Sequence, residues 1–315
     1  MKFTSIAFFA GVFALPVSAC DLCAVYNVNA AEGARERGFY AGVAEQFTHF
    51  GTVQEDGEKI HDPAKQRMES AITQIFAGYT FNEHLAAQLN VPFIYRSFRR
   101  AEGFAIDNGT ESGLGDISLL LNATPYRYEK MHKTFAWTVL GGLKLPTGDS
   151  DRLREELRED EVAGAPESGI HGHDLALGSG SVDGIVGSGI YGRYKRAFFS
   201  GNFQYTIRTE GDIHYRYAND LLWNGGPGVF VLLNESHTLA LQLSASGEDK
   251  TMDRFRGERA EDTAITSVFL GPQVNFTWSD KLSAQAGVDF PVLLDNSAVQ
   301  IVPDWRLRAA ATWRF

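Results

Sequence analysis

The chain is predicted to be all-β: a closed antiparallel transmembrane β-barrel of about twelve strands, with about ten or fourteen also compatible with the pattern. Three observations carry that expectation. Apolar and polar residues alternate over segment after segment, the period of a strand with two different faces. The connections alternate between short and long, as in a barrel with periplasmic turns and outward loops. The last segment, 303–315, sets Trp305, Leu307, Ala309, Ala311, Trp313 and Phe315 on one face and Arg306, Arg308, Ala310, Thr312 and Arg314 on the other. A soluble sandwich would lay that apolar face on a second sheet, but it gives no reason for loops to sort by length.

The elements follow in chain order. Residues 1–19 read as a signal peptide, with Lys2, an apolar run from Phe3 to Leu15 and Val17-Ser18-Ala19 as a small-residue cleavage pattern. Removing Lys2 from 29 basic residues leaves 28 against 39 acidic ones, so the mature chain is acidic. With no basic block, nucleic acid is not an expected partner. Residues 20–37 form an N-terminal periplasmic segment containing Cys20 and Cys23, and 38–315 is the barrel. Strands are expected near 38–50, 68–82, 84–99, 114–127, 133–146, 182–195, 197–210, 215–234, 236–248, 264–279, 281–293 and 303–315. Alternation is clear in 281–293, where Leu282, Ala284, Ala286, Val288 and Phe290 oppose Ser283, Gln285, Gly287 and Asp289.

Short turns are expected at Asn82 to His84, Tyr128 to His132, Lys195-Arg196, Asn234 to Ser236 and Ser279 to Lys281. The longer links are 51–67, 100–113, 147–181, 211–214, 249–263 and 294–302. Lipid offers no hydrogen-bond partners, so strand 38–50 must pair with 303–315 to leave no open edge. An aromatic end at Phe315 resembles the signal read by the barrel-assembly machinery of the outer membrane. These features place the protein in the bacterial outer membrane, with lipid as its surroundings; the oligomeric state is left open.

Three motifs recur in order: Leu114-Gly115-Asp116, Leu145-Pro146-Thr147-Gly148, and Leu177-Gly178-Ser179-Gly180-Ser181-Val182-Asp183. Over about residues 70 to 315 this series resembles the outer-membrane transporter family named after the meta-pathway of phenol degradation. The resemblance implies a porin-like β-barrel that moves small, often aromatic, compounds, without assigned catalytic residues and without a cofactor. The acidic insert 149–174 and the paired cysteines are not part of that pattern.

Inward-facing charges are the candidate site. Arg96, Lys144, Arg208, Arg306 and Arg308 are expected to line the outer half of a pore, opposed by Glu45, Asp116 and Asp289. Rings of charge select permeants by sign. A mixed, slightly basic constriction would admit small anionic or polar organic solutes, whereas mutual pairing would make a closed polar plug. Cys20 and Cys23 form a C-x-x-C at the cleavage point, consistent with a local disulfide or with lipidation of Cys20 through Val17-Ser18-Ala19-Cys20. His171, His173 and Asp174 are a candidate metal cluster, with a solvated extracellular loop as the plain alternative. A short helix over 152–161 has too few apolar residues to pack firmly.

No enzyme is expected. A wall-mounted lipase needs a serine and a histidine on adjacent strands, and the eight histidines are expected in links or at strand ends. The function expected is passive diffusion of a small organic solute. The alternative is a metal-linked surface protein using His171 and His173.

Overall fold

The computed structural model describes residues 25–31, 33, 37–157, 164–234, 236–279 and 281–315. Twelve wall strands run up and down: β1 (Gly38–Glu55), β2 (Arg67–Asn82), β3 (Leu85–Glu102), β4 (Ser118–Lys130), β5 (Lys133–Lys144), β6 (Asp183–Tyr194), β7 (Ala197–Ile207), β8 (Asp220–Leu233), β9 (His237–Lys250), β10 (Ile265–Trp278), β11 (Leu282–Asn296) and β12 (Val299–Arg314). Each pairs antiparallel with its sequence neighbours, and β1 pairs with β12 from Tyr40↔Arg314 to Glu55↔Val299. That seam closes the cylinder and satisfies the backbone groups of both terminal strands.

The alternation works as the sequence suggested. Val43, Ile75, Leu89, Leu121, Leu241 and Leu307 are exposed on the outer wall. Phe39, Phe81, Tyr128, Tyr194, Trp278 and Trp313 are exposed near the end that holds Gly38 and Phe315. An apolar band edged by aromatic rings is the outer surface a bilayer requires. No helix among the described residues is long and apolar enough to cross a membrane.

Three expectations about the connections are corrected. The link expected at 294–302 shrinks to Ser297-Ala298, because β11 and β12 stay paired with their neighbours well beyond the expected ends. Within the link expected at 100–113, Ala105–Leu114 is a strand folded back on β3 from Phe93 to Glu102. Below it, β3 pairs with β4 only from Leu85 to Asn90. The stretch before β8 is not wall either. Tyr215–Arg216 pairs with Arg254–Phe255, and Arg254–Phe255 with Glu258–Arg259, as a small sheet on the outer rim.

Candidate functional site

Strand register decides which side chains enter the lumen. On β1 the inward set includes Tyr40 and Ala44, which pack with Phe76 of β2 and Ala310 of β12. Glu45 has the opposite parity. It is aligned with Thr73 and Ala309, shares its face with Val43, and accepts a 2.5 Å hydrogen bond from Thr73 Oγ1. Glu45 therefore belongs to the lipid-facing wall, not to the inner charge set. His49 needs a second correction, because β1 continues past it. It is a mid-strand residue on the outer face, stacked on Trp305 at 5.7 Å with Glu69 and Asp304 beside it.

The other charges of the expected pore do occupy the inner face, and most are paired. Lys144 Nζ lies 3.4 Å from Asp116 Oδ2, and both residues are buried. Arg208 bridges two carboxylates, at 2.8 Å to Asp183 and 3.0 Å to Asp220. Arg308 holds Asp289 through two bonds, Nε at 2.5 Å and Nη2 at 3.0 Å, and donates to Ser244 at 3.0 Å. Arg306 stacks over the Phe269 ring at 4.3 Å. Buried pairs of this kind need their remaining lone pairs satisfied to repay desolvation, and at Asp116 and Asp183 backbone and hydroxyl groups supply the bonds.

Those bonds come from the three sequence motifs, which meet in one knot. Asp116 accepts from Gly148 N at 3.0 Å, Ser179 N at 2.9 Å and Ser179 Oγ at 2.8 Å. Ser181 Oγ donates to Asp183 at 2.8 Å, and Asp183 also accepts from Thr209 N at 3.0 Å. Gly148 and Gly178 cross so closely that a Cβ on Gly178 would stand 2.6 Å from the Gly148 backbone. Asp183 and Asp220 were not among the expected site residues. Their signal was available, since each opens an inward-facing strand at the height of Arg208.

The knot holds the two ends of the loop 145–182, and the loop folds inward across the outer mouth. Ile170 and Leu175 bury against Phe50, Met68, Phe98 and Ile301 of the wall, while Leu153 and Ala176 bury against Tyr215 and Tyr217. Burying an aliphatic side chain is worth about 1.5–3 kcal/mol, and these residues are the loop's missing apolar face. The loop is thus a packed cap and not a solvated one. Of the helix expected over 152–161, the described part is a 3₁₀ helix, Asp151–Leu157, and 158–161 lie outside the described residues. Ile301 N donates to Gly169 O at 2.7 Å, adding the loop to the edge of the wall. Arg96, buried on β3, donates to the carbonyls of Asp174 and Ala176 (2.8 Å to the latter) at the end of a one-turn helix, Gly172–Leu175. A guanidinium is well suited to the orphan carbonyls of a helix end.

The cap also brings the expected histidine pair into a larger cluster. The His171 and His173 rings stack at 5.6 Å with 4° between planes. His173 Nδ1 lies 3.1 Å from Glu156 Oε1, and His171 Nδ1 lies 3.3 Å from Asp262 Oδ2. Asp174 braces the pair from behind. Its Oδ2 accepts the His171 N–H at 3.0 Å and its Oδ1 lies 3.5 Å from His173 Nε2. Burial opposes charging of His173, yet Asp174 and Glu156 outweigh it and hold the imidazole well above its usual range. Burial likewise opposes charging of Asp262, but His173 and His171 hold its carboxyl below the ordinary value. Glu156 and Asp262 escaped the sequence reading because they lie far from the histidines along the chain.

At the periplasmic end residues 25–31 of the N-terminal segment lie in the lumen. Tyr26 N donates to Gln74 at 2.9 Å, Tyr26 O accepts from Gln88 and Asn90 at 2.7 and 2.6 Å, and Asn29 donates to the Tyr40 hydroxyl at 3.1 Å. Beside it opens a cavity of about 590 Å³, lined by groups such as Tyr26, Asn122, Tyr191, Phe198, Gln242 and Asn275. Cys20 and Cys23 lie outside the described residues.

Over the whole fold, the chain is similar to the COG4313 outer membrane channel from Pseudomonas putida F1. The TM-score is 0.58 at 15% identity, covering 93% of this chain and all of that one. The chain is an outer-membrane β-barrel. More distant are the beta domain of the Bordetella autotransporter BrkA (TM-score 0.45, 10% identity, 89% of this chain, 100% of that one) and a Pseudomonas aeruginosa FadL homologue (0.36, 12%, 88%, 90%). No family model and no curated protein matches the barrel, so its resemblance to the meta-pathway family rests on the three motifs.

Proposed function

We propose that the barrel is an outer-membrane channel through which a small organic solute diffuses passively, gated by inward and outward movement of the 145–182 cap. The observation that carries this reading is the pairing of a cavity of about 590 Å³ in the lumen with a cap held across the outer mouth through discrete, releasable bonds. A barrel serving only as an anchor has no need of an internal cavity. The similarity to the COG4313 outer membrane channel, at 15% identity, accounts for the fold and is in keeping with the reading.

The lining favours solutes with aromatic rings and hydroxyl or carbonyl groups. Tyr26, Tyr191 and Phe198 offer ring faces, while Asn122, Gln242 and Asn275 offer both donors and acceptors. Salt bridges consume much of the inner charge, Arg308 included, so the selectivity expected from a basic constriction is reduced to a weak preference. The test is solute-driven swelling of liposomes carrying the mature barrel, with phenol-sized aromatics against sugars of similar mass. A variant with 150–175 replaced by a short glycine-serine link should pass both faster than the wild type. Equal, near-zero rates for the two proteins would remove the channel reading.

A further inference from the structure

We propose that Glu156, His171, His173 and Asp262 form a binding site for one divalent transition cation of the zinc, nickel or copper class, which staples the cap to the opposite outer loop. Glu156, His173 and Asp262 each present one ligand atom within 4.8 Å of the others. His171 adds a second imidazole, its Nδ1 3.3 Å from Asp262. Bonds of about 2.0–2.1 Å to nitrogen and oxygen put tetrahedral ligand atoms roughly 3.3 Å apart, so Glu156, His173 and Asp262 need to close by at most about 1.5 Å.

The chemistry of the donors selects the ion. Two neutral imidazoles with two carboxylates suit borderline cations, whereas calcium and magnesium prefer all-oxygen shells. The surroundings are built rather than loose. The side chains of His173 and Glu156 are 5% and 9% exposed. Glu156 Oε1 also accepts the His173 N–H at 2.7 Å, and the Tyr217 hydroxyl donates to His173 O at 3.2 Å. Gly172, between the two histidines, lies so close to the 3₁₀ helix that a Cβ there would stand 2.3 Å from Arg152 O. Asp174 faces the other nitrogen of His173 and orients the ring, the usual role of a carboxylate behind a ligating histidine.

Topology gives the site its consequence. Glu156, His171 and His173 belong to the 145–182 cap, and Asp262 to the connection between β9 and β10. A cation shared by them adds a bond between two loops already in contact through His171 and Asp262, so its binding opposes cap opening. At a free concentration about ten times Kd, opening is suppressed roughly tenfold. The site stands on its own geometry; only its meaning as a control of passage rests on the channel reading.

The experiment uses the tag-free mature barrel with Cys20→Ser and Cys23→Ser, so that no thiolate competes. Cobalt(II) absorption and zinc titration calorimetry should give one saturable site per barrel, lost in His173→Ala and weakened at least tenfold in Asp262→Asn. Heat-modifiable gel mobility confirms that each variant is folded. Zinc should also slow tryptic cleavage after Arg152 and Arg154 about tenfold in the parent and not in Asp262→Asn. Absence of saturable binding, or binding unaffected by both substitutions, overturns the site. Saturable binding with unchanged cleavage overturns the staple. Neither readout depends on solute flux, so failure of the channel reading would leave both results interpretable.

Discussion

Replacing Arg96 by methionine tests the gate at its hinge point. Arg96 is buried on β3 and donates from Nη1 to the carbonyls of Asp174 and Ala176, at the C-terminal end of the one-turn helix Gly172–Leu175. Methionine keeps a flexible apolar stem of similar length and removes every donor. Hydrogen bonds to a charged group contribute about 1.5–3 kcal/mol each, so two contribute about 3–6 kcal/mol in favour of the closed cap. Water at an opened mouth returns part of this to the freed carbonyls, so the lower figure is the safer expectation. About 3 kcal/mol corresponds to a shift of roughly a hundredfold in the closed-to-open ratio. The buried contacts of Ile170, Leu175 and Leu177 remain, so the loop should open more often without unfolding. Single-barrel recordings in planar bilayers read this as open probability, and Arg96→Lys should fall between. An Arg96→Met barrel that is folded and opens no more often than wild type would refute the assignment of this loop as a gate held from β3.

Three other outcomes follow from the same geometry. Arg208→Ala leaves Asp183 and Asp220 buried without their shared cation, and should cost about 3–5 kcal/mol in urea unfolding from vesicles; adding Asp183→Asn and Asp220→Asn should recover part of it. Glu45→Leu replaces a lipid-facing carboxylate and should stabilise the barrel by about 1–2 kcal/mol in the same assay, less the lost Thr73 bond. The Arg306→Ala/Arg308→Ala double variant should lower anion preference in reversal-potential measurements by only a small factor, since Asp289 already neutralises Arg308. A complete loss of selectivity would restore the basic constriction as the dominant filter.

Much of the wall was legible in the chain. Alternation such as that from Trp305 to Phe315 is a local property, and the demand that no backbone group face lipid unpaired turns such segments into one closed cylinder. Even Glu45 was legible, since it shares its parity with Val43 and Phe47, so alternation alone puts it outside. The three motifs also marked real structure, although their residues clamp a loop and do not by themselves identify a solute. Strand ends were less readable. Hydrogen bonding to neighbours carries β11 and β12 beyond the apolar band, and nothing local in 294–302 announces it.

What the sequence determined, then, was the strand character of the wall, about twelve strands, and the alternation of their two faces, because that pattern depends on neighbours one or two residues away. Tertiary structure alone decided that the acidic loop turns inward, that the inner charges pair, and that Glu156 and Asp262 join two histidines. Those contacts link residues far apart along the chain, through the curvature of a closed wall. Only once twelve strands fix the distance across the lumen can Ile170 find Phe98, or Arg96 reach a helix end eighty residues downstream.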